Sequence, residues 1–505
     1  MGKVIVNSGL YTFSSILVKA IGFLLLPVYT LFLTPEDYGI TNLVTSFNSV
    51  ATFVIAFSLY SAIVRFYADY KDDREKLKQF YGTVIIFVLC SGCIFAGLGF
   101  ALHELLIEWF FKGIEFYPVI VLALLTLTFI CLHTVHQSIM QGLQAGKKLT
   151  LINLTVFGLQ VGLNLLFIGV FRLGATGVLL ASFIINLGYF IYMLYDLRAN
   201  NLVVFSLNKT LLGEALHYSI PLMPHNLSTH IASFVARVFI NNSSSLSSVG
   251  LYGIAWQFGS IIDLIQASVN RAFAPWFFET MNGGEASAKG EIIKLSRILL
   301  ILYSLVYMVI GLFSQEVVIL MTNERYLMAW TVIPILVAAF SVKSIYYFYV
   351  NVLYYYKQAA NKVFIATIAG SFADIVLAVL LVPVYGMYGA AFAFLNAKII
   401  VVAIVVVMSK KYNDIGYRVN DMLKILLPSL LFMWVGLYLS YIKYMTVFSW
   451  INLLYKLGVL FAYLIFVYLS NRKEIDRVIK SEKFQNIIEE VILKKAKKNS
   501  ICGDN

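Results

Sequence analysis

Long apolar segments recur along almost the whole of this 505-residue chain, from Asn7 to Ser470. A helix needs about 20 mainly apolar residues to cross the hydrocarbon core of a bilayer. Because 60% of the residues are hydrophobic and only 13% are charged, the chain lacks the polar surface of a water-soluble fold. The sequence predicts an all-α polytopic membrane protein with about fourteen transmembrane helices. The predicted spans are 9–33, 40–66, 80–104, 117–142, 150–171, 174–196, 213–240, 250–280, 293–314, 329–356, 361–382, 387–409, 421–441 and 449–470.

Lysine and arginine residues are distributed unevenly between alternate loops. The side that carries Lys3 and the region after Ser470 has 27 of them, and the opposite side has 4. Because cytoplasmic loops carry the excess of these residues, both termini are predicted to be cytoplasmic. The net charge of +12 then reflects topology, and we expect no nucleic-acid partner.

The loops between the predicted spans are short, at most about twenty residues, so no soluble catalytic domain is expected. Cys90 and Cys93 have the spacing of a redox or metal site, but they lie inside an apolar run with no second pair or nearby histidine. We therefore predict that the protein is not an enzyme and that it has no resident cofactor or metal.

Three short motifs occur in the same order, and at nearly equal offsets, in two parts of the chain. They are Tyr38-Gly39-Ile40 with Val249-Gly250-Leu251, Gln144-Ala145 with Gln358-Ala359, and Gly174-Ala175-Thr176-Gly177 with Gly386-Met387-Tyr388-Gly389. This pattern indicates a duplicated six-helix unit. Because six is an even number of spans, both copies enter from the same face, and the pseudo-twofold axis runs along the membrane normal.

The repeat predicts four regions. An N-terminal lobe comprises residues 1–205, a C-terminal lobe 206–415, and two additional helices 416–470. Residues 471–505 are predicted to form a cytoplasmic, basic, amphipathic tail at the membrane surface. Two such lobes would enclose a central cavity and rock against each other to expose it alternately to each side.

Several ionisable residues fall within the predicted spans, where each charge costs roughly 3 kcal/mol or more unless it faces a cavity or a partner. Basic residues outnumber acidic ones, which predicts a cationic cavity. The candidate cavity cations are Lys19, Arg65, Arg237, Arg271, Lys343 and Lys398. Snorkelling to headgroups is the alternative for Arg65 and Arg237, and pairing with another buried charge is the alternative for Arg271. Asp263 and Asp374 are candidates for coupling to H⁺ or Na⁺, with salt bridges to cavity lysines as the alternative.

Several motifs resemble those of bacterial polysaccharide-export flippases of the Wzx type, in the multidrug/oligosaccharidyl-lipid/polysaccharide (MOP) superfamily. Their order and spacing carry the resemblance over spans 1–12. The matching segments are Ile21–Tyr29, Leu33–Gly39, Tyr218–Pro224, Val249–Tyr252 and Val382–Ala391.

The resemblance implies translocation of an undecaprenyl-pyrophosphate-linked oligosaccharide from the cytoplasmic to the outer leaflet of the bacterial inner membrane. It also implies membrane lipids and the polysaccharide polymerase or export machinery as partners. Arginine and lysine are suited to bind the pyrophosphate.

Other members of the superfamily provide the alternatives. A multidrug extruder commonly has a carboxylate at membrane depth in its first lobe, whereas the Asp and Glu residues of spans 1–6 occur only at span ends. A lipid II flippase is expected to have several arginines in its first two helices, whereas this chain has Lys19 and Arg65 there.

Overall fold

The computed structural model describes residues 17, 22–472 and 476, with side chains throughout apart from 285–287 and 357. Every regular element within these residues is helical, which confirms the predicted all-α membrane fold. Lys19 and nearly all of the predicted tail lie outside the described residues.

The first part of the described chain contains eight α-helices, up to the linker of residues 200–208. Two of them are extended by π-helical turns, at Phe116–Ile120 and Leu165–Val170. The helices are α1 Leu26–Phe32, α2 Pro35–Ala56, α3 Leu59–Tyr70, α4 Arg74–Ala101, α5 His103–Phe110, α6 Val121–Gly142, α7 Gly146–Asn164 and α8 Gly174–Ala199.

The remaining helices follow the linker. Short 3₁₀ turns occur at Ile220–Leu222 and Glu324–Thr331. The helices are α9 Lys209–Ser219, α10 Met223–Ser243, α11 Leu246–Asn282, α12 Glu285–Leu312, α13 Ser314–Met321, α14 Ile333–Tyr355, α15 Lys357–Ala360, α16 Val363–Tyr412, α17 Val419–Gly436, α18 Tyr438–Ile442 and α19 Trp450–Ser470.

Eleven helical stretches within the described residues are long and apolar enough to cross a membrane. The protein is thus a multi-pass membrane protein, and the count of fourteen stays a prediction. Three differences account for the gap between eleven stretches and fourteen predicted spans. The first predicted span is described only from Gly22, the seventh is polar, and the eleventh and twelfth form the single helix α16.

Two predicted spans are interrupted by backbone features that hydropathy does not reveal. The second span divides into α2 and α3 because Phe57 and Ser58 both adopt left-handed conformations, with φ of 46° and 55°. The seventh divides into α9 and α10 at Pro221, which lies in the 3₁₀ turn. Proline has no backbone N–H to donate and cannot continue a regular helix without disturbing it.

Helix α16 contains a sharp bend at Gly386, where φ is 54° and ψ is −132°. L-residues rarely adopt this conformation, whereas glycine adopts it without steric cost. The bend separates the segments predicted as spans 11 and 12 without an intervening loop.

The described chain divides into two compact units. Unit 1 comprises residues up to Ala274 together with Ser314–Asp414, and unit 2 comprises Pro275–Phe313 and the chain from Ile415 onward. Within unit 1, α14 packs most extensively against α16, and α10 also packs against α16. Within unit 2, α12 packs against α17, and α17 against α19.

Helices α2 and α11 approach each other backbone to backbone inside unit 1. A Cβ atom added to Gly39 would overlap the carbonyl oxygen of Leu246, and one added to Gly250 would overlap that of Pro35. Each glycine therefore lies directly against the backbone of the residue four positions before the other glycine. This reciprocal contact is what a twofold axis between two copies requires, and it joins the two glycines that the sequence repeat aligns.

Asp37 connects the first turns of two helices. Its Oδ2 accepts hydrogen bonds from the Thr34 backbone N–H at 3.1 Å and from the Thr34 hydroxyl at 2.7 Å, completing the capping box of α2. Its Oδ1 accepts a bond from the Ala175 N–H at 2.9 Å, in the first turn of α8. The carboxylate thus satisfies helix-terminal groups that have no partner within their own helices.

Candidate functional site

A polar cavity lies among α10, α11, α14 and α16 of unit 1, with Phe53 of α2 at its edge. It consists of two compartments that share the residues Thr229, His230, Lys343, Ser371 and Lys398. We call the first, of about 540 Å³, the lysine compartment, and the second, of about 470 Å³, the aspartate compartment.

Helical periodicity explains how an apolar sequence builds this polar cavity. In α14, the residues Lys343, Tyr346, Tyr347, Val350 and Tyr354 all line the lysine compartment. Their spacing of three or four residues places them on one face of the helix. The opposite face of α14 is buried in the unit's core, where Tyr349 is only 1% exposed.

Helix α10 contributes a second polar face on the same principle. Asn226, Thr229, His230 and Ser233 are three or four residues apart, and all of them line the cavity. The polarity of this face accounts for the absence of α10 from the helices with membrane-spanning hydropathy.

The two lysines of the cavity are held differently. Lys343 Nζ lies 2.5 Å from Asp263 Oδ1, so α14 and α11 are connected by an ion pair. Lys398 makes no ion pair with any residue that the structure describes, and its Nζ lies 4.5 Å from the centre of the Phe394 ring. A cation over an aromatic face is stabilised without a counter-ion, so the Lys398 ammonium keeps its capacity to bind an anion.

The two compartments differ in charge. The lysine compartment is lined by Lys343, Lys398, His225 and His230, and its described lining includes no carboxylate. The aspartate compartment contains the same lysines together with Asp263 and Asp374. Asp374 is 8% exposed. Both lysines therefore border both compartments, whereas the two carboxylates line only the aspartate compartment.

Arg237 is buried beside the cavity and does not line it. Its Nη1 donates to the Ser233 carbonyl oxygen at 2.8 Å and to the Ser233 hydroxyl at 2.6 Å. Its guanidinium lies 5.7 and 5.8 Å from the ring centres of Tyr252 and Trp256. All three of these neighbours line the aspartate compartment, so the Arg237 charge acts on the cavity from behind its wall.

The other predicted cations lie elsewhere. Arg65 is exposed and pairs with Asp69 one helical turn away, at 2.7 Å. Arg271 is exposed, and its Nη2 donates to the Ser268 hydroxyl at 2.9 Å. Neither residue lines a compartment of the cavity. Lys19 lies outside the described residues.

Several cavity residues were not singled out from the sequence. Thr229, Asn270, Thr367 and Ser371 line the lysine compartment. Thr229 could have been found because it precedes His230 on a polar helical face. Tyr354, near the end of α14, lines this compartment as well.

A second polar cluster is buried among α6, α7 and α8, away from the cavity. His136 is fully buried and bonds to the Tyr189 hydroxyl at 2.7 Å and to Asp196 Oδ2 at 3.3 Å. Asp196 Oδ1 accepts a bond of 2.5 Å from Lys148 Nζ. The cluster ties three helices together through one carboxylate.

Comparison with solved structures identifies the fold. The fold resembles that of a lipid II flippase, MurJ, in an inward closed conformation, with a TM-score of 0.67, 19% identity, and coverage of 93% of this chain and 100% of that one. It also resembles an inward-facing MATE multidrug transporter of the MOP superfamily, with a TM-score of 0.60, 15% identity, and coverage of 80% and 95%. Both likenesses concern the fold, which is a polytopic helical membrane fold.

Sequence comparison identifies the family. The family model described as polysaccharide biosynthesis protein matches residues 4–281, more than half of the chain. The chain therefore belongs to this polysaccharide biosynthesis family, as its motifs predicted.

Two relatives come from Haemophilus influenzae. An uncharacterized membrane protein is 22% identical over 372 residues, covering 73% of this chain and 88% of the relative. A protein of the Lsg locus is 24% identical over 289 residues, covering 55% and 67%.

Proposed function

We propose that this protein translocates a lipid-linked oligosaccharide, carried on undecaprenyl pyrophosphate, from the cytoplasmic to the outer leaflet of the bacterial inner membrane. The observation that carries the proposal is the lysine compartment. It presents Lys343 and Lys398 from facing helices together with two histidines, and its described lining has no carboxylate. Family membership supports the same substrate class.

The chemistry of the compartment fits a phosphorylated, sugar-bearing ligand. Lysine binds phosphate as a point charge, and charge-assisted hydrogen bonds of this kind are about twice as strong as neutral ones. Tyr346, Tyr347 and Tyr354 line the same space, and they present aromatic faces and hydroxyls to a sugar. The Lys398 ammonium contacts the Phe394 ring, so a pyrophosphate would gain a cation without first breaking an ion pair.

The proposed mechanism is alternating access between two lobes, residues 1–205 and 206–415, with both termini in the cytoplasm. We propose no cofactor other than a coupling ion, H⁺ or Na⁺, and Asp263 and Asp374 are the candidate carriers. Their position in the aspartate compartment supports this role because an ion bound there would alter the field at Lys343 and Lys398. The partners in this proposal are the lipid-linked glycan, membrane lipids and the polymerase or export machinery.

Removal of the cavity charges tests the proposal. We expect Lys19→Gln, Lys343→Gln and Lys398→Gln to block surface display of the polysaccharide, with the lipid-linked intermediate accumulating in the cytoplasmic leaflet. Lys147→Gln is the matched control because this exposed lysine lies outside the cavity. Membrane abundance of each variant has to equal that of the parent.

Two results would contradict the proposal. One is normal export by all three cavity variants. The other is extrusion of cationic drugs that depends on Asp263 and Asp374 while the polysaccharide is exported normally, and this second result would support the multidrug alternative.

A further inference from the structure

Unit 2 contains a cavity of its own, where α17 begins, α19 ends and α12 passes between them. Its volume is about 520 Å³. Its lining combines charged, polar and apolar side chains, namely Arg297, Asp421, Lys424, Ile425, Phe466, Val467, Ser470 and Asn471. This interfacial pocket lies wholly within unit 2, whereas the polar cavity lies within unit 1.

The pocket carries a positive surplus. Arg297 Nη2 donates to Asn471 Oδ1 at 3.2 Å, which holds the guanidinium at the pocket wall. Lys424 lies 3.3 Å from Asp421, but both side chains are largely exposed, 77% and 58%, so this pair is weak. A small adjoining cavity adds Arg418 beside Arg297. Among the residues that the structure describes, three cations thus lie around one carboxylate.

The start of α17 adds to the attraction for an anion. Arg418 is its N-cap residue, and no side chain caps the first turn. The N-terminal end of an α-helix carries a partial positive charge. The helix end and the three basic side chains therefore favour the same ligand charge at the same place.

The pocket is polar at one end and apolar at the other. On α19, Ser470 and the adjoining Asn471 follow Phe466 and Val467 by about one helical turn. On α17, Ile425 lies one turn beyond Asp421 in the same direction, toward the middle of the span. A ligand in this pocket therefore meets cations at the membrane surface and apolar side chains below them.

We infer that this interfacial pocket binds an anionic glycerophospholipid, with its phosphate at Arg297 and Lys424 and an acyl chain along Phe466 and Ile425. Basic pockets between transmembrane helices recur as sites for anionic lipid headgroups. The bound lipid would connect α12, α17 and α19 and stabilise unit 2. This inference does not depend on the substrate proposed for the polar cavity.

Lipid binding to the full chain in detergent, followed by native mass spectrometry, tests the inference. We expect phosphatidylglycerol to bind in preference to phosphatidylcholine, and Arg297→Gln/Lys424→Gln to weaken phosphatidylglycerol binding about tenfold, a change that a charged hydrogen bond accounts for. Lys147→Gln/Lys410→Gln removes the same charge from exposed positions outside the pocket and is expected to bind like the parent.

A single substitution separates a loss of lipid binding from a loss of the fold. Lys424 is largely exposed, so Lys424→Gln is expected to keep the fold while lowering phosphatidylglycerol binding severalfold. Phosphatidylglycerol is also expected to raise the thermal unfolding midpoint of the parent but not that of the double variant.

Three results would overturn the inference. They are unchanged phosphatidylglycerol binding in the pocket variants, an equal loss in the control variant, and displacement of the lipid by inorganic phosphate alone. The last result would identify a site for a free anion.

Discussion

Substitution of Gly39 by alanine should force α2 and α11 apart. The added methyl group would overlap the backbone carbonyl oxygen of Leu246. A backbone carbonyl in a helix cannot rotate away as a flexible side chain can, so the helices themselves have to move. Gly250→Ala should have the same effect from the other side, through the carbonyl of Pro35.

The expected cost follows from two opposing terms. Alanine is favoured over glycine in a helix by about 1 kcal/mol. Overpacking a tight interface costs about 1–3 kcal/mol, and a backbone collision belongs in the upper part of that range. Gly158 has no atom within 4 Å of an added Cβ, so Gly158→Ala experiences the first term alone. The difference in unfolding free energy between Gly39→Ala and Gly158→Ala should therefore be about 2–3 kcal/mol.

The free energy of unfolding can be measured by SDS titration in mixed micelles, followed by tryptophan fluorescence. The double variant Gly39→Ala/Gly250→Ala gives a second test because both methyl groups act at one helix crossing. Once the first has separated the helices, the second meets less resistance, so the combined loss should fall short of the sum by about 1 kcal/mol. Equal stability of Gly39→Ala and Gly158→Ala, or full additivity in the double variant, would refute the reasoning.

Three further substitutions can be measured by the same titration. Asp37→Ala should lower the unfolding free energy by about 2 kcal/mol because two helix starts lose their acceptor, and a loss no larger than that of a surface alanine would exclude this capping role. Gly386→Ala should cost about 1–2 kcal/mol because an L-residue is strained at φ 54°; an unchanged value would mean that the bend relaxes freely. Asp196→Asn should cost about 2 kcal/mol because Lys148 and His136 lose a shared charged acceptor, and rescue of the loss by Lys148→Gln would distinguish an uncompensated cation from a packing defect.

Helix existence and membrane insertion could be predicted from the sequence because both depend on composition and periodicity along the chain. The breaks could be predicted less well. Pro221 and Gly386 are residue types that commonly interrupt helices. By contrast, nothing in the local sequence indicates that Phe57 and Ser58 adopt left-handed conformations. The backbone conformation of those two residues is set by their tertiary environment.

The candidate site was predicted only in part, for a geometric reason. Membrane depth identified Lys343, Lys398, Asp263 and Asp374, and all four line the polar cavity. Depth does not show which way a helix face is turned. Depth alone therefore could not separate Arg237 and Arg271 from the residues that line the cavity. Arg65 could have been separated from them because Asp69 follows one turn later, at the spacing of a helical ion pair.

Asp37 also bears on the order in which the chain assembles. The residue that completes the start of α8 at Ala175 lies 138 positions earlier in the sequence. During synthesis α2 reaches the membrane well before α8. The Asp37 carboxylate is therefore already present when α8 is inserted. Until the two meet, this N–H in the first turn of α8 depends on water or headgroups at the end of the span for a partner. The hydrogen bond from Ala175 to Asp37 can form on insertion only if α2 is still near the site of insertion when α8 enters the bilayer.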